Sequence, residues 1–137
     1  MATQPASSSP NAKPLRLLIV DDNPHVRQDL RFLLELSGAV DVIGEASNGL
    51  EAIARAHDLL PDALLLDLEM PLMDGYTAAR EIKNRQPGCR IIAFSVHSYP
   101  QAREKARQAG VDEFIEKGAS LEAILNILTK PRNAGLP

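Results

Sequence analysis

The sequence holds one cysteine, Cys89, no tryptophan, two tyrosines and three phenylalanines. A lone cysteine cannot close an intrachain disulfide, and Cys89 reads as a core thiol in a reducing compartment. No apolar run approaches the roughly 20 residues of a membrane-spanning helix. The opening stretch "MATQPASSSPNAKP" lacks an apolar centre, so it is not a secretory signal. There is no internal repeat. The net charge of -3 is too mild to argue for or against a nucleic-acid surface. What is present is 137 residues, 45% hydrophobic and 24% charged, which suits one soluble domain with one substantial core. Residues 1–14 are expected to be a disordered tail, 15–130 the domain, and 131–137 a C-terminal tail or the start of a linker.

Apolar strand patterns alternate with helical ones. "LRLLIV" at 15–20 is apolar almost throughout, as in a strand buried on both faces of a parallel sheet. Asn23-Pro24 supplies an N-cap and a first helical residue. Val26, Leu30, Leu33 and Leu34 then recur at helical spacing as far as Ser37-Gly38. "VDVIGEA" at 40–46 alternates like a half-buried edge strand. Asn48 and Glu51 come close to a capping box, with Leu50, Ile53 and Ala54 as the apolar face of their helix. "DALLLDL" is a third strand. Asp74-Gly75 opens a third helix, with Ala79 and Ile82 inward, and it stops before Pro87-Gly88. "CRIIAFS" at 89–95 is a fourth strand. The polar helix "PQAREKARQAG" turns only Ala102, Ala106 and Ala109 inward, so weak packing is expected. "DEFIE" is a short fifth strand, and Ser120 caps a last helix carrying Leu121, Ile124, Leu125 and Leu128. Tyr76 and Tyr99 read as packing residues. Alternation of this kind implies right-handed βα units and a doubly wound parallel sheet with helices on both faces.

Ligands in such sheets gather at the carboxyl ends of the strands. Asp21 and Asp22 follow the first strand, and Asp67 closes the third. In the order 2-1-3-4-5 these strands are neighbours, so the three acids share a pocket. Crowded carboxylates raise one another's pKa unless a cation intervenes, and hard oxygen ligands suit Mg²⁺. Ser95 ends the fourth strand and Lys117 follows the fifth. Acid, metal, lysine and hydroxyl are the parts needed to hold a phosphoryl group on a carboxylate. Taken singly, each has a plainer reading: the Asp pair as helix-dipole partners, Asp67 as a loop cap, Lys117 as a solvated side chain. Their joint placement at four strand ends is what carries weight.

"VDDNP", "LLLDLEMPLMDG", "FS" and "FIEKGAS" resemble the receiver domain of two-component response regulators, over roughly 15–130. The resemblance implies a flavodoxin-like fold, a five-stranded parallel sheet of order 2-1-3-4-5 with five helices. It implies Asp67 as phospho-acceptor, with Asp22 a direct Mg²⁺ ligand, Asp21 a ligand through water, and the Glu69 carbonyl a third. Ser95 resembles the switch hydroxyl, Lys117 its counter-charge and Phe114 the switch aromatic, acting on the surface of the fourth helix, fifth strand and fifth helix. Glu69 and His97 would set the lifetime of the acyl phosphate, and Val96 would narrow access to it. The implied donor is a histidine kinase or histidine phosphotransfer protein, with His25 and Val26 as candidate contacts. A phosphorylation-dependent homodimer, a cytoplasmic location and no membrane partner also follow. Lys117-Gly118 replaces the family's frequent lysine-proline and is expected to be trans. It resembles receivers that precede helix-turn-helix domains, so nucleic acid would be met only through an output domain absent from these residues.

Two other classes compete. A phosphohydrolase working through an aspartyl phosphate would use Glu69 as acid/base, but the Met-Pro turn and Asp-Gly do not match it. An FMN carrier would want a Ser/Thr/Gly-rich phosphate loop, where "DDNP" repels phosphate. The chain is expected to be a single-domain regulator, a phosphorelay intermediate or the receiver fragment of a longer transcription factor.

Overall fold

The computed structural model describes residues 13–131, so the expectations for residues 1–12 and 132–137 lie outside the described residues. Strand β1 (Leu15–Val20) is central, and its burial on both sides explains why its pattern does not alternate. Asn23 caps α1 (Pro24–Leu36) by accepting from the His25 N–H. Then come β2 (Val40–Ala46), α2 (Gly49–Leu59), β3 (Ala63–Asp67), α3 (Gly75–Arg85), β4 (Arg90–Ser95), α4 (Pro100–Gln108), β5 (Glu113–Glu116) and α5 (Leu121–Leu128). All strand pairs are parallel, and the sheet order is β2-β1-β3-β4-β5. This is the flavodoxin-like architecture, and its register brings Val20 beside Leu66 and Asp67 beside Phe94.

Alternate side chains of the central strands feed two cores. Leu17, Ile19, Leu65, Ile92 and Phe94 pack on α1 and α5 through Leu30, Leu34, Ile124 and Leu128. Leu18, Val20, Leu66, Ile91 and Ala93 pack on α2, α3 and α4 through Ala52, Ala56, Ala79, Ile82 and Ala106. Cys89 is buried in the second core, as its reading requires.

Three sequence readings need correction. The inward face of α2 is Gly49, Ala52 and Ala56; Leu50 is 56% exposed and Ala54 is exposed. Leucine gave the wrong phase because alanine, close to the sheet, is what fits there. On α1, Leu33 also turns outward while Leu34 is fully buried. Tyr99 is 55% exposed at the N-cap of α4 and is no core residue.

Two glycines bear on the site. A Cβ on Gly75 would strike the Asp67 carbonyl oxygen and lie 2.6 Å from Leu68 Cα, so only glycine lets α3 start against the Asp67 backbone. Gly118 takes φ +103, a left-handed conformation, after a trans Lys117-Gly118 bond; the described residues include no cis peptide.

Candidate functional site

The carboxyl ends of β1 and β3 deliver the acids. Asp21 and Asp67 are 1% and 2% exposed, and Asp22 is exposed. Oxygens of all three lie within 4.8 Å of one another. Backbone donors fix two of them: Asn23 N–H donates to Asp21 Oδ1 at 2.9 Å, and Glu69 N–H to Asp67 Oδ1 at 3.0 Å. The Met70-Pro71 turn continues through Leu72 at φ 69, with Met73 N–H donating to the Pro71 carbonyl at 2.8 Å. Asp74 then caps α3 by accepting from the Thr77 N–H.

Lys117 reaches this group from the end of β5. Its backbone N–H donates to the Ser95 carbonyl at 2.8 Å, and its ammonium lies 2.9 Å from Asp21 Oδ2 and 3.2 Å from Asp67 Oδ2. Buried Asp21 Oδ2 has the Lys117 ammonium as its close cationic partner. Burial pushes the Asp67 carboxyl from its ordinary 3.8 up to about 6, helped by the Asp21 charge and opposed by the Glu69 N–H and by Lys117. For Lys117, burial disfavours the charge, but Asp21 and Asp67 outweigh it and raise the pKa. One lysine facing three acids leaves negative charge uncompensated. Three clustered carboxylates, hard oxygen ligands answered by a single lysine, fit a small divalent cation such as Mg²⁺.

Ser95 ends β4, fully buried. Its hydroxyl donates to the Glu69 carboxylate at 3.0 Å and accepts from the His97 N–H at 3.0 Å. Val96 and His97 are exposed, and the His97 ring lies 5.9 Å from that of Tyr99. Phe114 is half-buried against the alanine-rich core, and the Arg103 guanidinium covers its ring at 4.6 Å. Arg103 also donates to the Ser98 carbonyl at 3.0 Å and lies 3.7 Å from Glu116. His25 is exposed, whereas Val26 packs on the leucine-rich core. The structure thus gathers Asp21, Asp22, Asp67 and Lys117 in one pocket, joins Ser95 to Glu69 beside it, and sets Phe114 on the neighbouring strand.

Two contacts escaped sequence reading. The Glu69–Ser95 bond joins residues 26 apart, and the Arg103–Phe114 stack joins different elements; neither leaves a periodic signal. A separate groove of about 590 Å³ lies between α2 and α3, lined by Leu50, Ile53, Met73 and Thr77 among others, and Asp21, Asp22 and Asp67 are not part of it.

The family profile of the response regulator receiver domain matches residues 17–129. A protein-glutamate methylesterase/protein-glutamine glutaminase of Alkalilimnicola ehrlichii is 44% identical over 75% of this chain and 27% of its own length. The nitrate/nitrite response regulator NarL of Escherichia coli K12 is 34% identical over 86% of this chain and 55% of its own. The signal receiver domain of a putative response regulator NarL from Mycobacterium tuberculosis superposes with a TM-score of 0.80 at 31% identity, covering 88% of this chain and all of that one. The chain therefore spans about half or less of these two curated relatives. Among the described residues no helix is long and apolar enough to cross a membrane.

Proposed function

The chain belongs to the response regulator receiver family, and we propose that Asp67 is the residue on which it accepts a phosphoryl group. The observation that carries this reading is one buried carboxylate, Asp67, held 3.2 Å from Lys117 and beside two further acids. An Asp67 oxygen attacks the phosphorus of a phosphohistidine on a histidine kinase or histidine phosphotransfer protein. The P–N bond breaks, and the imidazole leaves with the electron pair and takes up a proton. With a pKa of about 6, Asp67 is mostly ionised, hence nucleophilic, at neutral pH. Lys117 answers the charge that gathers on the phosphoryl oxygens. Asp21, Asp22 and Asp67, with the Glu69 carbonyl, would hold Mg²⁺. When bound, the ion shields the carboxylates from one another and draws charge from the phosphoryl oxygens.

Ser95 then donates to a phosphoryl oxygen, and Phe114 turns into the space beside it, repacking the surface of α4, β5 and α5. That surface is where a phosphorylated homodimer or a target would form. Glu69, Val96 and His97 govern the entry of hydrolytic water. A domain bounded near 15–130 and a cytoplasmic setting complete the reading. The relatives include an enzyme and a nitrate/nitrite response regulator by name, each covered only in part, so neither output is assigned to these residues, and any hold on DNA would need an output domain outside them.

Intact mass after incubation with acetyl phosphate and Mg²⁺ tests the proposal. Wild type should gain one phosphoryl group, Asp67→Asn none, and chelation should abolish the gain. A mutant that gains as much mass as wild type would sink the assignment.

A further inference from the structure

We propose that Glu69 latches Ser95: its carboxylate occupies the hydroxyl that an incoming phosphoryl group needs, and so holds the domain in its unphosphorylated arrangement. The inference rests on the reading of Asp67 as phosphoryl acceptor and adds a residue that opposes it. Ser95 Oγ lies 3.0 and 3.2 Å from the two Glu69 oxygens. A hydroxyl has one proton to donate. While that proton points at Glu69, it is not available to an oxygen on phosphorylated Asp67. The accepting side of the hydroxyl is taken as well, by the His97 N–H. Ser95 is thus held at both ends; it is itself fully buried, while Glu69 reaches it from the exposed side.

The latch is wired to the acceptor. Glu69 is two residues beyond Asp67, and its own N–H donates to Asp67 Oδ1. Among the described residues no ion pair holds the Glu69 carboxylate; its hydrogen bonds there are those from Ser95. A phosphoryl dianion on Asp67 would repel that carboxylate and offer Ser95 a stronger acceptor in its place. Activation is then an exchange of partners by one buried hydroxyl. Glu69 sets the threshold for the exchange without touching the transferred group, which makes it a positioning residue.

A double-mutant cycle separates this role from plain repulsion of the donor. The rate of phosphoryl uptake from acetyl phosphate at saturating Mg²⁺ is read by intact mass; an Asp67 oxygen bonds phosphorus as acetate departs. Glu69→Ala should speed uptake about tenfold, the weight of one charge-assisted hydrogen bond. Made in a Ser95→Ala background, the same change should give no acceleration. Glu69→Gln, which keeps an acceptor without the charge, should fall between wild type and Glu69→Ala. Equal acceleration in both backgrounds would mean that Glu69 only repels the donor, and the latch is wrong. No acceleration in either also overturns it. A wild type that takes up no phosphoryl group strikes instead at the Asp67 assignment and takes the latch with it.

Discussion

On one face of the sheet, Leu17, Ile19, Leu65 and Ile92 meet Leu30, Leu34, Ile124 and Leu128; on the other, Leu18, Leu66, Ile91 and Ala93 meet largely alanine, at 52, 56, 79, 106 and 109. Large branched side chains interlock and resist sliding, whereas alanine gives close approach with little surface to lose. Strand β4 touches both faces. By alternation Ile91, Ala93 and Ser95 point to the alanine side, where Phe114 also packs. The residues proposed to move therefore lie on the side whose helix α4 is least anchored. The leucine side is the frame against which movement is measured.

The largest effect should come from breaking the frame. Leu34 is fully buried between α1 and the sheet. Leu34→Ala should cost about 3 kcal/mol of unfolding free energy by denaturant titration, from lost transfer energy and the cavity left behind. A cost under about 1 kcal/mol would mean that this face relaxes as easily as the other, and the contrast between them would fail.

The second effect has the opposite sign and belongs to the acid pocket between the faces. Asp67 has a folded-state pKa of about 6 against its ordinary 3.8. The folded state holds that proton more tightly than the unfolded one, so protonation favours folding. This stabilisation is full below about pH 4 and is lost as pH rises through about 6. In metal-free protein, Asp67→Asn should remove the loss and raise stability at neutral pH by about 2 kcal/mol. The gain over wild type should shrink toward zero near pH 4, as melts across that range would reveal. Saturating Mg²⁺ should favour wild type over the mutant, since it binds the ionised site.

Much of this contrast was legible in the sequence because strand ends and helix caps leave local marks. Asn23, Asn48, Asp74 and Ser120 each cap the helix they were expected to cap. Asp21, Asp22, Asp67 and Lys117 converge because parallel strands end together at one edge. The helix faces were harder. Hydrophobic spacing finds leucine readily, but in α2 the sheet-facing positions are Ala52 and Ala56, and Leu50 instead lines the groove toward α3. Alanine, chosen where backbones come close, loses the phase of a helix to a nearby leucine, whereas in α4, which has no leucine, Ala102, Ala106 and Ala109 set it. The partners of Ser95 and Phe114 were hidden for another reason. Glu69 and Arg103 reach them across loops and neighbouring elements, through side-chain rotamers on which local sequence has no hold.

The smallest effect tests the alanine side directly. Ala106 is buried in the last turn of α4, in line with Ala102 and Ala109. Ala106→Gly removes one methyl from a thin interface and lowers helix propensity, so the global cost should be about 1 kcal/mol. The more telling readout is hydrogen exchange. If α4 opens by itself, its amides should exchange faster in the mutant, by a factor of about 5 for that energy, while those of α1 and α5 follow the global change only where they exchange by full unfolding. Exchange accelerated alike in α4 and in α1 under conditions of local opening would mean that the two faces open together. The alanine side would then be thin without being independent, and a motion of Ser95 and Phe114 would have to carry the leucine frame with it.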